Sequence, residues 1–316
     1  MRKLNIFLLT LVLFMTACSM QPANTATPIA GVPTPSESFP TPNSPIPNFK
    51  HIVIIIFENR EFESVIGNSD APYLNQLAQE NTLLTQYYAI THPSLPNYIA
   101  LISGDTQGYT KNCTNCPVSA TNLADLIEQS GRSWMTYQES MPDDCAASDP
   151  DKQYVVRHNP FMYFTSIVND KERCIAHVEE LSDLGPDATN NQLADFIFIT
   201  PNICNSGHDC TIKTSDDWLK NTLPALVNEF QAEGDDYLIV LTWDEGETKK
   251  SCCGLPENAG GRIATILISP QAKQGLQDDT PYTTYSLLRT ISEAWGLPLL
   301  GHAADEGTAA ILAPWK

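Results

Sequence analysis

Three short polar groups in this chain each follow directly on a continuous run of apolar residues. Such runs, rich in Ile, Val and Phe, are typical of strands buried on both faces of a parallel sheet. Ligands bind outside the carboxyl ends of these strands, and carboxylates gathered there repel one another unless a cation lies between them. The sequence therefore predicts a metal site at this edge of the sheet. The groups are Glu58-Asn59 after Ile52 to Phe57, Thr200-Pro201-Asn202 after Phe196 to Ile199, and Asp244-Glu245 after Tyr237 to Trp243.

A serine that could act as a nucleophile lies between the first two groups. Ser94 begins a predicted helix that Gly104 ends, and free backbone N–H groups at a helix start favour negative charge. A serine hydroxyl is a weak nucleophile until a base or a metal removes its proton. A cation held by Glu58 and Asp244 would supply that activation, whereas Ser94 taken alone is better explained as a helix N-cap.

The elements that must position these residues alternate between strands and helices. This alternation, without a visible internal repeat, predicts one doubly wound α/β domain. A polar stretch over 143–158 is expected to be irregular. Helical patterns cover 71–80, 122–130 with Thr121 as its cap, 216–232 and 282–295, and further strands are indicated over 82–88 and 263–269.

The first fifty residues lack the composition of a folded domain. Residues 1–18 have a charged start, an apolar run and a Thr16-Ala17-Cys18 end that resembles a bacterial lipobox, which predicts a lipoprotein signal peptide with lipidation at Cys18. Ordinary secretion after a small residue is the alternative. Residues 19–48, rich in Pro, Thr and Ser, are expected to be a disordered tether. The domain would then span 49–316, exported and anchored to a bacterial membrane, at the cell surface or in the periplasm.

Eight of the nine cysteines follow Cys18. An even set in an exported chain indicates disulfides. A zinc site at Cys113 and Cys116 would need a second ligand pair at matching spacing, and none is evident. The partners of Cys252 and Cys253 stay open. Closeness in sequence favours the pairs Cys113–Cys116 and Cys204–Cys210 and leaves Cys145–Cys174 as the next pair.

The formal net charge of the chain is −19 at pH 7. A surface this acidic argues against nucleic acid as a partner, because nucleic-acid backbones bind stripes of Lys and Arg. It also repels phosphate, so an anionic substrate would need a local cation to offset that repulsion. The charge is therefore consistent with a bound metal, and it does not indicate an oligomeric state.

Five motifs are spread over the predicted domain: Glu58-Asn59-Arg60, His92 to Tyr98, His158-Asn159-Pro160-Phe161, Pro201-Asn202 with Gly207-His208-Asp209, and Trp243-Asp244-Glu245-Gly246. In this order they resemble the bacterial phosphoesterase family, which groups acid phosphatases with phospholipase C-type enzymes inside the alkaline phosphatase superfamily. The resemblance implies an alkaline phosphatase-like single α/β domain with a central, mostly parallel sheet flanked by helices. It also implies that Ser94 is the nucleophile and becomes phosphorylated.

The same resemblance implies a ligand set for the metal. Two-zinc relatives carry several His ligands, whereas this chain has carboxylate and carboxamide oxygens at the matching places, with Asn202 in place of an Asp. Oxygen-rich sets suit hard cations. We therefore expect one divalent ion, with Ca²⁺, Mg²⁺ or Mn²⁺ favoured. Its expected ligands are Glu58, Asn59, Ser94, Asp244 and Glu245.

With one metal, other groups must hold the phosphoryl oxygens and protonate the leaving alkoxide. His208 and His158 are the candidates for the proton donor, and Asn97 and Asn202 for donors to the nonbridging oxygens. His92 could compete for a role or only fix the turn beside its proline.

We expect metal-dependent hydrolysis of small phosphate monoesters through a phosphoserine intermediate, as in acid phosphatases. A phospholipase C-type phosphodiesterase is the first alternative. A surface lipoprotein that binds a ligand or a metal without turnover is the second. A sulfatase is disfavoured because Tyr98 stands where the sulfatase motif has Arg.

Overall fold

The computed structural model describes residues 45–149, 152–190 and 192–316. In these residues, strands and short strand segments form one sheet. Their bounds are β1 His51–Phe57, β2 Thr82–Tyr88, β3 Trp134–Gln138, β4 Val178–Glu180, β5 Phe196–Thr200, β6 Tyr237–Trp243, β7 Arg262–Ile268, β8 Gln277–Asp278 and β9 Tyr282–Thr283. The strand order is β4-β3-β5-β1-β6-β7-β2-β8, and β9 also pairs with β2.

Helices connect these strands and flank the sheet. Their bounds are α1 Phe62–Val65, α2 Pro72–Glu80, α3 Ser94–Ser103, α4 Leu123–Gln129, α5 Thr165–Val168, α6 Lys171–His177, α7 Leu184–Thr189, α8 Ile212–Glu233 and α9 Thr284–Trp295. Short 3₁₀ turns cover Val156–His158, Pro160–Tyr163, Leu181–Asp183 and Gly301–Ala304. Within the described ranges, no helix has the length and apolar character needed to span a membrane.

The centre of the sheet consists of three parallel strands, with β1 between β5 and β6. Every residue of these three strands is buried, which explains why they read as continuous apolar runs. Antiparallel pairing occurs only where β7 meets β6 and β2 among the described pairs. The predicted α/β domain with a mostly parallel sheet is confirmed.

Strand register determines where the first and third polar groups leave the sheet. Phe57 pairs with Trp243 at the carboxyl ends of β1 and β6. The next residues along the two strands, Glu58 and Asp244, therefore emerge side by side.

Several helix starts differ from the sequence expectation. Helix α8 begins at Ile212, four residues before the expected start. Pro93 is the N-cap of α3, so Ser94 is its first residue rather than its cap, although Gly104 ends this helix in the left-handed region with φ 75°. Asn122, not Thr121, caps α4, because its side chain accepts the backbone N–H of Asp125. Helix α9 begins at Thr284, because the two residues before it pair with β2.

The described part of the chain begins inside the predicted tether. Ile46 is buried in the core, and Asn48 accepts a hydrogen bond from the Arg132 guanidinium. Ordered packing therefore starts before the expected domain boundary at Phe49. Cys18, the predicted signal peptide and most of the tether lie outside the described residues.

Four disulfides are present among the described residues, and three of them match the expected pairs Cys113–Cys116, Cys145–Cys174 and Cys204–Cys210. The fourth joins the neighbours Cys252 and Cys253, which the sequence left open.

Candidate active site

Three carboxylates meet around Ser94 at the carboxyl edge of the sheet. The Ser94 hydroxyl oxygen lies 3.2 Å from Glu58 Oε2 and 3.1 Å from Glu245 Oε1. Asp244 joins this group through Asn59, whose backbone N–H donates to Asp244 Oδ1 at 3.0 Å. The serine and all three carboxylates are buried. Segments that lie far apart in sequence thus bring the expected ligand side chains together.

Asn59 bridges two of these carboxylates because its backbone is left-handed, with φ 50°. Asn tolerates this region better than most residues. Its side-chain amide donates to Glu58 Oε2 at 3.0 Å, while its backbone N–H faces Asp244. Asn59 therefore fixes the spacing of the Glu58 and Asp244 carboxylates.

The buried negative charges of these carboxylates favour the binding of a cation. Burial, and next the charge of Asp244, raise the pKa of Glu58 well above its usual value. Burial and then Glu245 raise the pKa of Asp244 to about 7. Asp244 Oδ2 is buried without a hydrogen-bond partner among the described residues. Buried carboxylates with an unused oxygen are a donor set that fits a hard divalent ion.

His92 lies in the site, which the sequence left undecided. Its Nδ1 contacts Glu245 Oε2, and its Nε2 lies 2.8 Å from the carbonyl oxygen of Thr248. The hydrogen bond with Glu245 is the main cause that raises the pKa of His92. Because both nitrogens face acceptors, the protonated imidazolium satisfies the two contacts. Its position two residues before Ser94 in the sequence could have indicated that it lies in the site.

Tyr98 is a site residue that sequence reasoning missed. Its hydroxyl donates to Glu58 Oε1, and its ring is buried. It lies one helical turn after Ser94, and residues four apart in a helix share one face. That spacing could have identified it.

The environment of His158 does not suit the expected role of proton donor. It stacks on the Tyr98 ring at a centroid distance of 5.5 Å, and its Nε2 lies 3.3 Å from Glu58 Oε1. Burial, and next the charge of Arg157, lower the pKa of His158 well below its usual value. A neutral imidazole is a poor general acid, because its remaining N–H is far less acidic than that of an imidazolium. His158 is therefore better placed to support Glu58 than to act as the general acid.

His208 is the more accessible histidine near the site. Its ring centroid is 6.0 Å from that of His158, and its Nδ1 lies 2.6 Å from Asp209 Oδ1. The loop that carries it is closed by the disulfide Cys204–Cys210. Arg60 also holds this loop, because its guanidinium donates to the carbonyl oxygens of Gly207 and Cys210. The loop presents His208 at the rim beside the buried carboxylates.

The structure engages Asn97 fully within the protein, so its side chain has no donor left for the expected role toward phosphate, and it engages Asn202 in part. Asn97 accepts the backbone N–H groups of Ile90 and Thr91, and its amide donates to the carbonyl oxygens of Thr91 and Pro93. This uses both donors and both acceptor sites of its carboxamide. Asn97 therefore braces the turn that leads to Ser94.

Asn202 stabilises another loop and keeps one amide N–H that makes no hydrogen bond among the described residues. Its Oδ1 accepts the backbone N–H groups of Cys204 and Asn205, and its Nδ2 donates to the Ser140 hydroxyl. These local bonds are typical of an Asx turn. The side chain that replaces an Asp ligand in the resemblance therefore stabilises the start of the His208 loop.

Glu61 stabilises a loop beside the site, and no sequence motif indicated this role. Its buried carboxylate accepts the backbone N–H groups of Glu247 and Thr248, both at 3.1 Å. A side chain at Gly246 would place its Cβ 2.4 Å from Glu61 Oε2, so only glycine admits this approach. Glu61 thus fixes the segment whose Thr248 carbonyl contacts His92.

A second group with metal-ligand side chains lies at the opposite edge of the sheet. His51, Glu233 and Asp235 have ligand atoms within 4.8 Å of one another. His51, however, contacts Asp235 through Nε2 and the Ala194 carbonyl oxygen through Nδ1. Both imidazole nitrogens are therefore engaged within the protein, and this group is separate from the carboxylates around Ser94.

Known proteins are similar to this chain over most of its length. The Phosphoesterase family profile matches residues 68–298. A probable acid phosphatase of Kluyveromyces lactis is 35% identical over 84% of this chain and 63% of the relative. A phosphatidylinositol-3-phosphatase of Mycobacterium tuberculosis is 31% identical over 83% of this chain and 82% of the relative. The chain thus spans less than two thirds of the Kluyveromyces protein but most of the mycobacterial one.

Solved structures share the fold at low sequence identity. A lipoteichoic acid synthase of Listeria monocytogenes has a TM-score of 0.55 with 14% identity, over 90% of this chain and 79% of that one. A protein in the alkaline phosphatase superfamily from Vibrio parahaemolyticus has a TM-score of 0.51 with 15% identity, over 87% of this chain and 76% of that one. These likenesses identify the fold.

Proposed function

Because this chain belongs to the Phosphoesterase family, we propose that it hydrolyses phosphate monoesters through a phosphoserine intermediate. The observation that carries this proposal is the position of Ser94, whose hydroxyl lies within hydrogen-bond distance of two buried carboxylates. Relatives named as acid phosphatases and as a phosphatidylinositol-3-phosphatase support phosphoester chemistry.

A divalent ion suits this site, and we propose that one is bound by Glu58, Asp244 and Glu245, with Asn59 and Ser94 beside it. When bound, it would lower the pKa of the Ser94 hydroxyl and offset the negative charge of both the carboxylates and the phosphate. Three buried carboxylates without such a charge would repel an anionic substrate. The oxygen donor set favours Ca²⁺, Mg²⁺ or Mn²⁺ over softer metals.

In the first half-reaction, Ser94 Oγ attacks phosphorus in line with the leaving oxygen. A bond forms between Oγ and phosphorus while the bond from phosphorus to the leaving oxygen breaks. Glu245 accepts the hydroxyl proton, since its Oε1 faces Ser94 and its Oε2 is held by His92. His208 gives a proton to the leaving alkoxide, because it is more exposed than His158, the other candidate donor.

In the second half-reaction, water attacks the phosphoserine from the face that the alcohol left. His208 accepts a proton from this water, and Ser94 Oγ leaves phosphorus and regains its proton from Glu245. Two in-line displacements give net retention at phosphorus. His158 and Tyr98 contribute by holding Glu58 in place.

The assay should compare p-nitrophenyl phosphate, bis-p-nitrophenyl phosphate and phosphatidylcholine, with and without a chelator. We expect hydrolysis of the monoester, loss of activity on chelation and recovery with a divalent ion. Ser94→Ala should abolish turnover and the trapping of labelled phosphate on the protein, while Ser182→Ala, an exposed serine outside the site, should preserve both. A preference for either diester would favour the phospholipase C-type alternative. Metal binding without hydrolysis of any ester would favour the non-catalytic lipoprotein.

We also propose that the protein is exported and lipid-anchored through Cys18, with small phosphate esters as its substrates. Four disulfides suit an oxidising compartment. Mass spectrometry of the mature N-terminus should find a lipidated cysteine at position 18, and Cys18→Ser should release the protein from membranes. An unmodified N-terminus at another small residue would contradict the anchor.

A further inference from the structure

A cavity of about 480 Å³ lies beside α3, outside the group of carboxylates. Its walls come from the segments 105–110, 253–258 and 302–309 and from the start of α9. Ile90 and Tyr285 pack together with Ala100 of α3, and Leu255 packs against them. Three of these apolar side chains, those of Ile90, Leu255 and Tyr285, also line the cavity.

One wall of the cavity lies close to the nucleophile along the chain. Thr91 lines it and precedes Ser94 by three residues. Three extended residues span at most about 11 Å, so this wall and Ser94 are within the length of one small substrate molecule. A phosphate at Ser94 can therefore have the rest of its ester in the cavity. The volume lies in the range of small-molecule sites, roughly 300 to 1,000 Å³.

The charge of the lining excludes a second anionic group. Asp105 and Asp305 line the cavity, and the described lining residues include no Lys or Arg. Both carboxylates contribute to the raised pKa of Tyr285, after the larger effect of burial. A phosphate or carboxylate placed here would meet these negative charges, and the one basic side chain of the described lining, His302, is already paired with Asp305.

The polar groups of the lining suit hydroxyl groups. Asp105 accepts the Gln107 backbone N–H at 3.2 Å, and Asp305 pairs with His302 at 2.8 Å, so each carboxylate already has a partner. The Tyr285 hydroxyl makes no hydrogen bond within the described part of the chain, and threonine and serine hydroxyls line the same space. Hydroxyls both donate and accept, and the Tyr285 ring offers an apolar face.

We propose that this cavity binds the alcohol portion of the substrate and selects an uncharged polyol, such as a sugar ring, that carries a single phosphate. This inference rests on the proposed function, because the phosphate of that polyol must lie at Ser94. The aromatic and apolar floor packs against the C–H face of the ring, while the carboxylates and hydroxyls bind its hydroxyl groups.

The test compares kcat/KM for glucose 6-phosphate, ethyl phosphate, fructose 6-phosphate and fructose 1,6-bisphosphate. A pocket that accommodates one part of a substrate changes the ratio of kcat/KM between two substrates by about ten- to two-hundredfold. We expect glucose 6-phosphate to exceed ethyl phosphate by at least about tenfold, and fructose 1,6-bisphosphate to be the poorer of the two fructose esters. Phosphocholine is included because a cationic alcohol would also tolerate the carboxylates.

Asn258→Trp fills the cavity from an exposed position on its rim. It should reduce the ratio of glucose 6-phosphate to ethyl phosphate to near one and leave ethyl phosphate hydrolysis unchanged. The matched control Asn221→Trp, at an exposed position of α8, should leave the ratio as in the wild type. Circular dichroism of both variants checks that they fold.

Equal kcat/KM for the sugar and ethyl esters, or a ratio unaffected by Asn258→Trp, would overturn the polyol proposal while the phosphatase function stands. A preference for phosphocholine over glucose 6-phosphate would overturn it in favour of a cationic alcohol. If no ester is hydrolysed, the proposed function fails. In that case, calorimetry on Ser94→Ala tests ligand binding by the cavity separately. Glucose 6-phosphate should bind to this variant, and adding Asn258→Trp should remove that binding.

Discussion

Glu245 contacts Ser94 and His92 through different oxygens of one carboxylate. Its Oε1 lies 3.1 Å from the Ser94 hydroxyl, and its Oε2 contacts His92 Nδ1. The orientation of the carboxylate that faces the nucleophile is therefore set by a histidine, and that histidine is held in turn by the Thr248 carbonyl. This series of hydrogen bonds links the nucleophile to the segment that Glu61 supports.

His92→Gln should lower kcat more than it raises KM. The variant loses a charge-assisted hydrogen bond to Glu245, which is worth about 1.5 to 3 kcal/mol, so kcat should fall by about tenfold to a hundredfold. Steady-state kinetics across pH checks this. The contact with Glu245 raises the pKa of His92, so wild-type activity should fall as pH rises through that pKa, and the glutamine variant should lack this alkaline limb. An unchanged profile with normal kcat would leave His92 with a purely structural role.

Asp244→Asn should weaken binding of the divalent ion. An ion that binds only the folded protein adds about 2.7 kcal/mol to the free energy of unfolding at one hundred times its Kd. Wild-type protein should therefore melt at a higher temperature with Ca²⁺, Mg²⁺ or Mn²⁺ than in chelator, and Asp244→Asn should lose most of that difference. Asp217→Asn, an exposed partner of Lys213, is the control. An equal gain in Asp244→Asn would place the ion elsewhere, with His51 and Asp235 as the next site to test.

Gly246→Ala should destabilise the fold and reduce activity together. The new Cβ would lie 2.4 Å from Glu61 Oε2 and 3.4 Å from the Gly260 carbonyl oxygen. Such overpacking costs about 1 to 3 kcal/mol, and relief by movement would displace Thr248 from His92. Denaturant unfolding and kcat measure the two effects. Gly307→Ala is the control for stability, because nothing lies within 4 Å of its added Cβ.

Glu179→Gln should stabilise the protein at high pH and leave it unchanged at low pH. Burial, then Asp187 and further carboxylates, raise the pKa of Glu179 from 4.5 to about 7. Between these values the folded protein keeps a proton that the unfolded chain has lost, so stability falls as pH rises through this window. The glutamine variant avoids that loss.

The Glu179 effect should stay near about 1 kcal/mol because solvent screens a partly exposed group. Thermal melts at about pH 4 and about pH 8 compare the variant with the wild type on both sides of the window. Equal melting temperatures at the higher pH would show that the neighbouring carboxylates do not repel Glu179 in the folded state.

Much of the fold was accessible from sequence because buried parallel strands have a simple signature. The runs before Glu58 and Asp244 are apolar throughout, and this fits strands covered on both faces. The sequence patterns did not predict strands β3 and β4. Strand β3 mixes apolar and polar residues, and β4 has only three residues, so neither contains such a run.

The sequence by itself determined which residues gather at the edge of the sheet, because strand direction places Glu58 and Asp244 there whatever the loops do. Only the tertiary structure decided what each neighbour contacts. Asn97 and Asn202 form hydrogen bonds with the backbone of neighbouring turns. Tyr98 and His92 contact the carboxylates, and Glu61 holds the loop beside them. Hydrogen-bond partners and burial depend on how distant loops pack in three dimensions, and residue spacing along the chain does not encode that packing.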